Sequence, residues 1–191
     1  MSLAGALLAF MSSASQHTIT WLVQERGFEY SRAAYLSAGM VAVGGLLGNL
    51  AVGALTDWAR RRHPAGRLVG VAVLAATAIP VAAVFYRLPP SSPFLLPAWF
   101  VAQGWMLGWF GPVLAALDEL APPGRRATVL GFGLLAINLL GVATGPWVAG
   151  LIGDRASLTA GLLAALGVGA LSLAPLLLAA RLQSRPERPR V

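Results

Sequence analysis

Cysteine and lysine are both absent from the 191-residue chain, and charge of either sign is scarce. Without cysteine there is no disulfide framework, no thiolate metal site and no thiol nucleophile. Charged residues make up 11% of the chain, against roughly 25% in a soluble domain. That scarcity excludes an ordinary soluble enzyme, and the apolar excess excludes a disordered protein. The two histidines, His17 and His63, lie at different expected depths, so no metal centre is expected. No Gly-x-Ser-Gly occurs, which removes the nucleophile motif of a six-helix intramembrane serine protease. Phosphate-transferring membrane enzymes gather several aspartates around metal at one interface. Here only Asp57 and Asp118 fall on one side, among arginines. No enzymatic role and no cofactor is expected.

What is present is apolar. Hydrophobic residues are 57% of the chain and the mean hydropathy is +0.72. A membrane-crossing helix takes about 20 apolar residues, so about 120 residues suffice for six. Six such runs can be marked, at about 3–23, 33–56, 68–86, 94–117, 127–152 and 158–180. Lipid offers backbone N–H and C=O groups no partner, so each run must be a helix. Membrane strands would be half as long and would alternate in polarity. The segment Met1–Ala14 has no basic residue before its apolar run and reads as a retained helix, not a signal peptide. Residues 1–181 form one six-helix transmembrane domain, and 182–191 form a basic tail. The chain starts almost inside its first span, which suggests a fragment or a shortened reading frame.

All fourteen basic residues are arginine. They sit in short clusters between apolar runs, so the net charge of +7 does not describe a nucleic-acid-binding surface. Counting arginines by side places Arg60, Arg61, Arg62, Arg67, Arg125, Arg126, Arg181, Arg185, Arg188 and Arg190 together, against Arg26, Arg32, Arg87 and Arg155. The positive-inside bias puts both termini in the cytoplasm, as an even number of spans requires, and the cytoplasmic membrane is the expected location.

The second and fifth spans repeat a pattern. Gly44, Gly48, Gly53 and Asp57 recur as Gly141, Gly145, Gly150 and Asp154, at a constant offset of 97 residues. These two spans cross in opposite directions, so the chain reads as two inverted three-helix units, a common construction in secondary transporters. Gly44/Gly48 and Gly141/Gly145 are small-xxx-small pairs suited to close helix packing, with Pro146 beside the second.

Polarity is uneven. The third span has only Thr77 inside it, whereas the first carries Ser12, Ser13, Ser15, Gln16, His17, Thr18 and Thr20. Polar groups at membrane depth are expensive and tend to face a cavity or a partner. Ser13, His17 and Thr20 follow helical spacing, with Gln16 and Ser12 flanking them. On the fourth span Trp99, Gln103, Met106 and Phe110 form a similar stripe, while Trp105 and Trp109 read as lipid-facing. Gln16, Gln103 and Asn138 can each donate and accept, which suits a polar ligand and equally suits interhelical bonds. Ser13, Gln16, His17, Thr20, Gln103 and Asn138 are thus the cavity candidates.

The stretch Gly53-Ala54-Leu55-Thr56-Asp57-Trp58-Ala59-Arg60-Arg61-Arg62 resembles the signature loop of the major facilitator superfamily, which is Gly, three residues, Asp, then a basic cluster. It departs from that signature at Trp58, where a basic residue is usual, and at Arg60, where Gly is usual. The stretch Pro122-Pro123-x2-Arg126-Ala127, followed by Asn138-Leu139-x-Gly141-x3-Gly145-Pro146-x3-Gly150-x3-Asp154, looks like the family's eleventh helix, particularly in spinster-like members.

The resemblance covers essentially the whole chain. It implies the C-terminal six-helix half of a transporter working by alternating access on a small-molecule solute. The first and fourth helices of a half would line the cavity, and the third and sixth would face membrane lipids. A second six-helix half is the expected partner, as a separate chain, a second copy or a missing N-terminal half. The resemblance also makes Gly53, Asp57, Arg61 and Arg62 a gating loop. There Asp57 would pair with basic groups and with a helix N-terminus of the other half. The alternative is a membrane remnant or interaction subunit with no transport activity.

Overall fold

The computed structural model describes residues 1–184, and they are helical without a strand. Six rods follow one another. The first, α1, runs as Ser2–Ala14, a single 3-10 turn Ser15–His17, and Thr18–Gln24. Then come α2 (Tyr30–Arg62), α3 (Gly66–Arg87), α4 (Leu95–Leu120), α5 (Arg126–Arg155) and α6 (Leu158–Gln183). The last five are each long and apolar enough to cross a membrane. Of the expected tail, residues 185–191 lie outside the described residues.

Local chemistry sets the ends. Glu29 caps α2 by accepting from the Ser31 N–H, and Ser157 caps α6 by accepting from the Ala160 N–H. Pro64, Pro89 with Pro90, and Pro122 with Pro123 follow the ends of α2, α3 and α4, because proline cannot continue the hydrogen-bond ladder.

The duplication seen in sequence reappears in the backbone. The described residues with positive φ are Gly27 and Gly124, at the turns α1–α2 and α4–α5, again 97 apart. Both α2 and α5 contain a five-residue π-helical segment, Met40–Gly44 and Asn138–Val142, just where the paired glycines lie. Packing follows the same exchange. The N-terminal part of each unit's first helix, α1 or α4, packs on the second and third helices of the other unit, while α3 packs on α6. The crossings need glycine. A Cβ on Gly48 would overlap the Gly104 backbone of α4, and one on Gly145 would overlap the Phe10 carbonyl of α1. Gly44 and Gly141 make the adjoining contacts, with Phe100 and with Ala6 and Ala9.

One interior cluster joins α1, α3 and α4. Trp21 meets Phe85 and Tyr86 edge-on, and Phe85 stacks on Trp99 with ring centroids 5.6 Å apart. By contrast, α2 and α5 are poorly covered. Only 22% and 17% of their most apolar stretches are buried, against 50% and 56% in α3 and α4. Leu46 and Leu50 of α2, and Phe132, Leu139 and Trp147 of α5, stand exposed.

Candidate functional site

The polar residues of α1 divide between two places, and the 3-10 turn is the reason. Three residues per turn replace 3.6, so the register of Ser13, His17 and Thr20 breaks at Ser15–His17. The Ser15 hydroxyl holds the turn by donating to the Ser12 carbonyl at 2.6 Å.

The first place is a cavity of about 490 Å³, open on one side. Ser12, Ser13, Ser15, Gln16 and Thr18 of α1 and Gln103 of α4 form its polar floor. Ser37 and Val41 of α2 and Val142 of α5 form its rims. Ser13 donates to the Phe10 and Gly141 carbonyls, the second bond tying α1 to α5 at its π segment. Trp109 donates to the Ser12 hydroxyl at 3.3 Å, which ties α1 to α4. The Thr18 and Tyr86 hydroxyls bond each other at 3.3 Å. Gln103 is 93% enclosed (7% exposed), and its carboxamide bonds none of the described residues. Gln16 is likewise free and more exposed.

His17, Thr20 and Asn138 do not line this cavity. The His17 Nε2–H donates to the Pro146 carbonyl at 2.8 Å, so the ring lies on α5. There it borders a second, shallower cavity of about 350 Å³ with Trp147, Gly150 and Asp154. Thr20 is exposed. Asn138 turns back to donate to its own helix, at the Leu134 carbonyl. In the fourth-span stripe, Trp99 and Met106 enter the core, and Gln103 alone reaches the cavity. Trp109, expected against lipid, is instead 5% exposed, because α4 breaks at Gly108–Trp109 and turns the ring inward to Ser12. Trp105 donates to Thr77 on α3.

At the other end of α2 lies an ion network. Asp57 accepts from Arg67 at 2.7 Å, and Arg67 also reaches Glu119 at 3.0 Å. Arg60 pairs with Glu119 at 3.3 Å, and Arg126 approaches Asp118 at 3.8 Å. The ends of α2 and α4 and the start of α3 are thereby joined. Arg61 has no ion pair among the described residues, and Arg62 stacks over the Trp58 ring at 3.9 Å. Gly53 has open space around it. Arg67 enters the sequence reading only through the arginine count, and Glu119 is not among its candidate residues. Their signal was placement alone, since both lie on the arginine-rich side at the mouths of adjoining helices.

The opposite end carries a matching tie. The Glu25 carboxylate, at the end of α1, accepts from the Leu158 and Thr159 N–H groups and from the Thr159 hydroxyl. Trp21 donates to that same hydroxyl at 2.8 Å. A carboxylate on a helix N-terminus gains from the dipole there. In the neighbouring loop the Ser31 hydroxyl and N–H hold the Glu29 carboxyl below the usual glutamate value.

Compared with known proteins, the chain is matched over residues 1–191 by the family model described as Major Facilitator Superfamily. No curated protein matches it.

Proposed function

We propose, for a chain that belongs to the major facilitator superfamily and is therefore an integral membrane protein of a transporter family, that it works as one six-helix half of a secondary transporter. A small solute would bind at the floor formed by α1 and α4, and alternating access would come from rocking against a second six-helix half. The observation that carries this reading is the cavity of about 490 Å³. Its polar floor opens between the two least covered helices, α2 and α5. Hydrocarbon cannot satisfy such a surface, so another polar wall has to face it.

The supporting observations extend outward from there. The network of Asp57, Arg67, Glu119 and Arg60 would brace the cytoplasmic mouth, and the Glu25 tie to α6 would brace the outer mouth. The side assignment rests on ten arginines against four. It puts residues 1–181 in the cytoplasmic membrane with both termini inside and 182–191 as a cytoplasmic tail.

The test is solute uptake into vesicles containing this chain alone, and containing it with a co-expressed six-helix partner. Uptake should require the partner, and Asp57→Asn should slow it without reducing the inserted amount. Uptake that is zero in every arrangement would favour a non-transporting subunit.

A further inference from the structure

We infer that the cavity on α1 and α4 takes an uncharged solute rich in hydroxyl groups, of the polyol or sugar class. The inference rests on the transport reading only in treating this cavity as the solute site. It follows from what the lining still has to offer once its internal bonds are made.

The protons of the α1 serines that line the cavity are already committed, whereas the Ser37 hydroxyl on the α2 rim bonds none of the described residues. Ser12 donates to the Ala9 carbonyl, Ser13 to the Phe10 and Gly141 carbonyls, and Ser15 to the Ser12 carbonyl. Thr18 and the Tyr86 hydroxyl use one proton on each other. These hydroxyls therefore present mainly lone pairs to a ligand. Gln16 and Gln103 add two free carboxamides, each with an acceptor oxygen and two donor hydrogens. Gln103 is the informative member. The residue is 93% enclosed, yet its carboxamide has no partner among the described residues and must be bonded by something that enters the cavity. Its position on the cavity surface leaves a solute or water to do so.

A wall that offers both acceptors and donors calls for a ligand that brings O–H groups and lone pairs together. Charge is the second criterion. Among the described residues, no Asp, Glu, Arg or His lines the cavity. On this wall an ammonium ion would find no counter-charge and a carboxylate no arginine. Desolvating either on this wall would be unfavourable. The volume of about 490 Å³ is within the usual range for a small-molecule site and exceeds what a six-carbon polyol fills.

The experiment uses the full chain purified in detergent and three probes on one open-chain six-carbon skeleton. These are glucitol, which is neutral, its amine analogue glucamine and its carboxylate analogue gluconate. Binding is read by titration calorimetry, with circular dichroism and monodispersity as the folding check. Glucitol should bind, and each charged analogue should bind at least about tenfold more weakly. Gln103→Leu should weaken glucitol about tenfold, Gln103→Asn less, and Leu178→Ala on the outer face of α6 not at all. Gln103→Glu should shift the preference toward glucamine.

Three results would each overturn the inference: a folded chain that ignores glucitol, a charged analogue that binds as well, or glucitol binding unmoved by Gln103→Leu. The transport reading fails separately. Glucitol binding that depends on Gln103 without uptake in any vesicle would leave the cavity chemistry standing and remove transport. Uptake of a charged solute without glucitol binding would do the reverse.

Discussion

At the scale of single residues, two groups of side chains that look alike in sequence behave differently in space. Gly48 and Gly145 lie where a helix backbone crosses against them, whereas Gly53 and Gly131 have nothing within reach of an added Cβ. Gly48→Ala and Gly145→Ala should therefore each cost about 1–3 kcal/mol through forced separation of the helices. Gly53→Ala should be neutral or slightly stabilising, by the helix propensity of alanine. Thermal unfolding in detergent separates the two sets, and equal losses at all the glycines would refute the packing account.

The arginines divide in the same way. Arg67 is mostly covered and bridges two carboxylates, whereas Arg61 is exposed and free of ion pairs among the described residues. Arg67→Ala should destabilise by about 1 kcal/mol, a figure kept low because Asp57 is more than half exposed to solvent. Arg61→Ala should leave the melting temperature unchanged. Motif spacing pointed to Asp57 and to a basic cluster after it. It could not say that the partner is the arginine ten positions on, at the start of the next helix.

At the scale of elements, the six helices were legible because twenty-residue apolar runs leave lipid-embedded backbone only one solution. Their internal irregularities were not. A 3-10 turn or a π segment changes no residue's hydropathy, yet each re-aims everything beyond it. That is why Ser13 and Gln103 meet at the cavity while His17, at apparently perfect helical spacing, points to α5. The same cause hides Trp109 from lipid. His17→Ala should remove the interhelical bond to the Pro146 carbonyl and cost about 0.5–1 kcal/mol, visible as a lower unfolding midpoint. An unchanged midpoint would mean the bond is satisfied equally well by water.

The cap at the start of α2 gives a pH-dependent counterpart. Glu29 has its carboxyl pKa lowered, first by the Ser31 hydroxyl and then by the Ser31 N–H. A depressed carboxyl pKa means the cap is fully present above the free-glutamate value of 4.5 and fades as pH falls through the lower folded value. Glu29→Gln should then speed hydrogen exchange at the Ser31 amide at neutral pH. The difference from the parent should vanish once Glu29 is protonated, and a difference that persists in acid would assign the effect to something other than the charge.

At the scale of the whole molecule, the repeated turns, π segments and glycine crossings describe two three-helix units that exchange partners, so each unit's first helix is braced by the other's second and third. The exchange leaves α3 and α6 at the joint and pushes α2 and α5 to the uncovered side, flanking the polar cavity. In lipid, two kinds of exposed apolar surface then become distinguishable. Leu178 of α6 and Val73 of α3 stand exposed outside the cavity lining, whereas Val41 of α2 and Val142 of α5 line an opening that hydrocarbon cannot fill.

Because the chain has no cysteine, a single one can be introduced at each position and spin-labelled without background. If a second half covers the cavity, labels at positions 41 and 142 in the native membrane should relax poorly with oxygen, which concentrates in lipid. Labels at 73 and 178 should relax strongly. Equal oxygen accessibility at all four positions would mean that no partner occupies the α2–α5 side, and the cavity would then have to be closed by a rearrangement within this chain.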